Sequence, residues 1–386
     1  MMRTGEFFMR DGKMAKILQC EKFIVIAIAV FILNGCAYEA KVSQTNWRPL
    51  SVNLVSPAQF KDSDLEIVWQ GELPIKAGES LREMSIIGRR IYALSSSNFL
   101  AALNRENGNV VFSRYLAEAG FPVIGLGLYE NELFTIAGSR LLEMDADHGA
   151  DVNAVELKFS ETCPAVRNRS FFYIAGTDKR IHSLRTEDRV QVFEVAADDD
   201  SAVTSVIADE NFVVFATDSG FCAAFTPDGP KKLWQFNVAG GIAAPVVRDG
   251  DSIFFAGKDT NVYRLNAKTG EFIWKCQMGA ILEKGPTVAQ KCVYQYVRDN
   301  GLTAIDKGSG KILWQLPEGI DLLAEGGDKA YVFTLAGEIA AMDNVKCKKL
   351  YSVSIPAVSK YAVNVTDSKI YVADYAGRVA CLKPIK

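Results

Sequence analysis

The chain has 386 residues, 49% of them hydrophobic and 23% charged. It is longer than the roughly 250–300 residues that one compact core usually holds, and its composition excludes extensive disorder. Net charge is −3; setting aside residues 1–35, with five Lys/Arg and three Asp/Glu, leaves 38 basic against 43 acidic residues. That mild acidity, with no run of Lys/Arg, argues against nucleic acid held through a broad basic surface.

The first element in chain order is Phe23–Leu33 (FIVIAIAVFIL), eleven uncharged apolar residues preceded by Lys13, Lys16 and Lys22. A bilayer span needs about 20 such residues, so this segment reads as a signal-peptide core. The residues that follow, Leu33-Asn34-Gly35-Cys36, resemble the bacterial lipobox. That resemblance implies cleavage before Cys36 and lipidation of its sulfur and new amino terminus. Residues 1–35 are then a lipoprotein signal peptide. Residues 36–64, polar with two prolines and no clear period, read as the lipidated Cys and a tether.

From residue 65 the pattern is β. LEIVWQGEL (65–73) is a lone apolar strand carrying Trp69. After it, Tyr92, Phe134, Tyr173, Val214, Phe254, Tyr294, Val332 and Tyr371 each head an apolar strand, at intervals of 38–42 residues. A period near forty built from short strands marks a propeller, whose units cannot bury their faces alone. Each unit opens on a strand such as FPVIG (121–125), CPAV (163–166), APVV (244–247) or GPTV (285–288), with Pro where a missing N–H costs the ladder least. Gly-containing turns follow, and the fourth strand carries an aromatic: KKLWQF, EFIWKC, KILWQL.

Trp234, Trp274 and Trp314 recur at forty-residue spacing, and Phe112, Phe193 and Tyr351 fill the place elsewhere; around Val155 the pattern weakens. A Trp buries about 150–250 Å², so these residues and Trp69 are read as structural aromatics that seal neighbouring blades. Eight three-strand runs start near 84, 121, 163, 203, 243, 285, 321 and 361, and the last lacks a fourth strand. Strand 65–73 supplies it. The expected fold is all-β: an eight-bladed propeller of four-stranded antiparallel blades over 65–386, its ring closed by the N-terminal strand.

LNAKTGEFIWK (265–275) and IDKGSGKILWQ (305–315) resemble the PQQ-type repeat, shared by quinoprotein dehydrogenases and by the BamB lipoproteins of the outer-membrane β-barrel assembly machine. The resemblance covers about 65–386 and is strongest over 230–316. In the dehydrogenases it implies long catalytic inserts, a Ca²⁺ held by carboxylates and amides, a catalytic Asp and commonly paired cysteines. Here unit lengths vary by only a few residues and no two cysteines adjoin. The BamB branch fits better. It implies a non-catalytic, lipid-anchored scaffold on the periplasmic face of the outer membrane, with envelope proteins, the barrel-assembly machinery among them, as partners. No cofactor, metal or small-molecule ligand is expected. The alternatives are a PQQ-dependent dehydrogenase or PQQ binder, and a propeller scaffold of another envelope complex.

Other candidate chemistry is sparse. His148 and His182, the only histidines, lie in different units beside turns and are expected to be solvated. Asp145-Ala-Asp147-His-Gly149 with Glu156 has only a faint likeness to a calcium loop. Asp198-Asp199-Asp200 reads as a solvated run, and Gly125-Leu-Gly127 follows no strand-to-helix pattern that would cradle phosphate. Cys163, Cys222, Cys276, Cys292, Cys347 and Cys381 are irregularly spaced; buried thiols are the simpler reading and disulfides the alternative.

Overall fold

The computed structural model describes residues 53–385. They form eight four-stranded antiparallel sheets, seven of which follow chain order. Blade 5 is typical: Ile242–Asp249, Ser252–Gly257, Asn261–Asn266 and Phe272–Gln277, from innermost to outermost strand. Blades 1 to 7 begin at residues 81, 123, 166, 203, 242, 287 and 319. Blade 8 joins Lys360–Ala362, Ile370–Ala373 and Arg378–Pro384 to Leu65–Glu72, so the ring closes as expected. The closing register runs from Leu65 opposite Pro384 to Glu72 opposite Arg378, with a bulge between Ile67 and Trp69.

The burial pattern explains the sequence pattern. Second and third strands are covered on both faces by adjacent blades and read as continuous apolar runs; Ser252–Gly257 is buried throughout. Fourth strands lie at the periphery and alternate, as Phe272–Gln277 does. Eight apolar clusters fill the eight gaps between blades. Three unit-opening strands begin after their proline, at Val123, Val166 and Thr287. The fourth differs: Pro245 lies inside Ile242–Asp249, where the register shifts between Ala243 and Val247 because Pro offers no N–H to the ladder.

The stretch before the closing strand, grouped with the tether from its polarity, includes an ordered strap. Leu54, Val55 and Phe60 are buried in the gap between blades 7 and 8, and Pro57–Phe60 form one 3-10 turn. Gln70 exchanges two 3.0 Å hydrogen bonds with the Val55 backbone, and Gln59 Nε2 donates to Ser354 O at 2.9 Å. The contacts are long-range and the backbone irregular, so no local period announces them.

Two rims result. The upper rim carries the turns between first and second and between third and fourth strands. The lower rim carries the second-to-third turns and the connections between blades.

Candidate functional site

The aromatic positions lie at the seams between blades. Trp69, Trp234 and Trp274 each donate from Nε1 to a backbone carbonyl in the third-to-fourth turn of the next blade: Arg105 (3.0 Å), Ala267 (3.0 Å) and Lys307 (3.1 Å). Trp314 Nε1 reaches Asn344 Oδ1 at 2.7 Å. The Gly of that turn lies against the ring. A Cβ on Gly270 would stand 2.6 Å from Trp234, and one on Gly310 2.7 Å from Trp274. Both glycines have positive φ, so the residue type answers two demands. Phe112 packs on Gly149 in the same way, and Phe193 meets Phe225 edge-on at 6.4 Å. Tyr351 faces the break between chain ends, where its OH donates to Asp64. Lys329 and Tyr331 bond the same carboxylate.

The seam between blades 2 and 3 departs from this rule. The residue in register with the seam aromatics is Asn153, opposite Glu143, as Trp234 is opposite Ala224. Val155 sits two positions further on. Glu143 is fully buried and accepts two hydrogen bonds from Arg189, one of them at 2.5 Å from Nε. Arg189 occupies the turn position that Gly holds elsewhere and, like those glycines, has positive φ. Burial pushes the Glu143 carboxyl above its ordinary range, and the Arg189 guanidinium opposes that shift. An ion pair thus replaces the Trp–Gly contact.

On the upper rim, a cavity of about 1530 Å³ opens over blades 5 to 8. Charged side chains of both signs line it and engage one another: Lys307 Nζ bonds Asp249 Oδ2 at 2.7 Å, Lys329 bonds Asp64, and Arg105 reaches from blade 1 to Asp367 at 2.9 Å. Such a surface suits binding of a folded partner better than proton transfer, since its carboxylates and ammoniums neutralise each other in place. Among the described residues, no three His, Cys, Asp or Glu side chains cluster closely enough to hold a metal.

The remaining candidates are dispersed. His148 is exposed, with Nδ1 2.8 Å from Asp145 Oδ1, and that contact draws the Asp145 carboxyl below its usual range. His182 is not solvated: its ring is buried, stacked on Phe159 at 3.7 Å between centroids, with Nε2 3.0 Å from Asp178. A loop residue brought back over the strand covers it. Asp145 caps its own turn through the backbone of Asp147 and His148, Asp147 binds Arg89 and Arg90, and Glu156 bonds Ser139. These carboxylates therefore do not converge. Asp198, Asp199 and Asp200 pair with Lys232, with Ser201 and Ser219, and with Arg180, respectively. Gly127 lies in a strand against the Phe134 ring, a packing role. All six later cysteines are free thiols; five are buried and Cys347 is exposed. Cys36 lies outside the described residues.

The model of the family described as outer membrane protein assembly factor BamB matches residues 219–383. The outer membrane protein assembly factor BamB of Yersinia pestis is 24% identical over 143 residues, 34% of this chain and 36% of that protein. The chain thus aligns with about a third of that relative's length. Among solved structures, BamB from Moraxella catarrhalis superposes with a TM-score of 0.64 at 17% identity, covering 83% of this chain and 97% of the other. The designed Ika8 protein gives 0.61 at 12% identity, over 82% and 99%. The C-terminal WD40 domain of Sif2 gives 0.62 at 10%, over 83% and 98%. Similar scores for a designed ring and a WD40 domain show that these superpositions report the fold.

Proposed function

On the premise that the chain is a PQQ-like-repeat β-propeller resembling BamB, we propose that it is a non-catalytic lipoprotein scaffold on the periplasmic face of the outer membrane, serving β-barrel protein assembly. The observation that carries this reading is the family match over 219–383, on a ring whose units leave no room for catalytic inserts. The mixed-charge upper rim is the surface offered to protein partners. Cys36 is the lipidation site, and Cys36→Ser should accumulate as an unprocessed precursor, because the sulfur that receives the lipid is gone. Affinity purification from detergent-solubilised envelopes of the native host tests the function. Recovery of a barrel-assembly subunit, stoichiometric with the bait, is expected; recovery of unrelated proteins alone overturns the assembly role.

A further inference from the structure

The eight second-to-third turns occupy equivalent places on the lower rim, so they form an internal comparison. In blades 1 to 6 they are polar: Ser96-Ser97, Gly138-Ser139, Thr177-Asp178, Asp218-Ser219, Lys258-Asp259 and Asp299-Asn300. In the neighbouring blades 7 and 8 the same place holds Leu335-Ala336 and Tyr375-Ala376. Leu335 is 72% exposed and Tyr375 58%. Exposed apolar side chains are common singly, as Phe121 and Ile281 are on connections of this rim; Leu335 and Tyr375 differ in sharing one repeat position on adjacent blades, where the other six turns are polar.

The surroundings indicate what covers it. Lys360 Nζ lies over the Tyr375 ring at 5.1 Å, an amphipathic pairing of aromatic and cation that suits a lipid–water boundary. Glu318, whose carbonyl accepts from Leu335 N, has its carboxylate bound by Lys349 at 2.9 Å. On the far side of this rim, blades 3 to 5 present Asp178, Asp198, Asp199, Asp200, Asp218 and Asp259. Lys179, Arg180 and Lys232 offset Asp200 and Asp198, and Lys258 adjoins Asp259, but the sector keeps an acidic excess, which favours water over an anionic headgroup layer. The chain also arrives here. Arg378, at the lower-rim end of its strand and beside the turn that holds Tyr375, donates to the Asn53 carbonyl at 3.5 Å. Cys36 precedes Asn53 by 53 − 36 = 17 residues. Covalent geometry lets 17 residues reach up to about 60 Å, so anchoring alone would not dictate which rim meets the lipid. The chemistry of the rim does.

We propose that the lower rim of blades 7 and 8 rests on the lipid surface that holds the Cys36 anchor, with Leu335 and Tyr375 at the headgroup–acyl boundary and Lys360 toward the headgroups. This rests on the lipoprotein reading above. It leaves the upper-rim cavity facing away from the membrane, open to protein partners.

The test uses the processed full chain in vesicles of phosphatidylethanolamine and phosphatidylglycerol. A nitroxide is placed at Leu335→Cys or Tyr375→Cys, and for comparison at the exposed upper-rim residue Val345→Cys, each in a Cys347→Ser background. The other five later thiols are buried and leave the label site unique. Accessibility to oxygen relative to a water-soluble nickel chelate should be several-fold higher at 335 and 375 than at 345. If all three positions are equally accessible to the chelate while the protein remains anchored through Cys36, the lower-rim contact is refuted and the anchor stands. If a chain beginning at residue 37, which carries neither the apolar segment 23–33 nor Cys36, keeps the buried signature at 335 and 375 on the same vesicles, the rim contact is supported independently of the anchor.

Discussion

Removing the closing strand tests the ring's architecture where two distant segments meet. Leu65–Glu72 pairs along Arg378–Pro384 and places Trp69 in the seam between blades 8 and 1, its ring 6.1 Å from Tyr371 and its Nε1 on the Arg105 carbonyl. Loss of a buried Trp costs about 3–5 kcal/mol. The Arg105 carbonyl keeps only the 3.4 Å hydrogen bond from the Tyr371 hydroxyl. Leu65 and Leu73 leave with the strand, and the edge of Arg378–Pro384 is bared. Set against a domain stability of about 5–15 kcal/mol, this loss is decisive. A chain beginning at residue 53 should melt cooperatively. One beginning at 61, which lacks the buried Leu54, Val55 and Phe60, should melt cooperatively at a lower temperature. One beginning at 76 should lose near-UV circular dichroism and elute as aggregate on gel filtration. A soluble 76–386 fragment with an unchanged melting transition would refute the reasoning.

The irregular seam yields a rescue experiment: Glu143→Ala alone should cost about 3–5 kcal/mol in denaturant melts by leaving Arg189 buried and unpaired, whereas adding Asn153→Trp and Arg189→Gly should restore wild-type stability or better. A triple variant no better than Glu143→Ala would show that seams cannot be exchanged. Gly270→Ala should destabilise by about 2–4 kcal/mol, because it combines positive φ with a Cβ driven into Trp234, while Gly250→Ala, with positive φ but open space, should cost about 1–2 kcal/mol. Equal losses in melting would remove the Trp–Gly contact from the account. Burial pushes the thiols of Cys222, Cys292 and Cys381 up to about 12, well above the ordinary thiol range, and the Tyr92 phenol up to about 12 as well. Groups raised in this way bind protons more tightly folded than unfolded, so their contribution is complete below about pH 9 and is lost as pH rises toward 12. The melting temperature should therefore fall between pH 9 and 12, and of the six later cysteines only Cys347 should react with a thiol reagent before unfolding.

The parts of the fold legible in sequence were those carried by a repeated local signal. The forty-residue period, the tryptophans at 234, 274 and 314, and an eighth run of three strands that the lone strand 65–73 completes together locate the ring and its closing strand. Asn153 was not legible, because its seam is held by Glu143 and Arg189, which belong to different blades and follow no period. His182 looked solvated beside its turn, yet Phe159 folds over it from the connection before its blade, a contact that spacing does not encode. The strap over 53–64 is irregular and gains its burial from residues some 270 positions away. The lower-rim pair Leu335 and Tyr375 did have a sequence signal, polar turns in six repeats against apolar turns in two, visible only once the repeats are aligned turn by turn.

The proposed role in outer-membrane assembly is tested most directly in the native host, by deleting the chain and quantifying outer-membrane proteins by mass spectrometry. The account predicts that β-barrel proteins fall as a class relative to other envelope lipoproteins, and that a plasmid copy restores them. Barrel levels that match the parent strain in the deletion would contradict it.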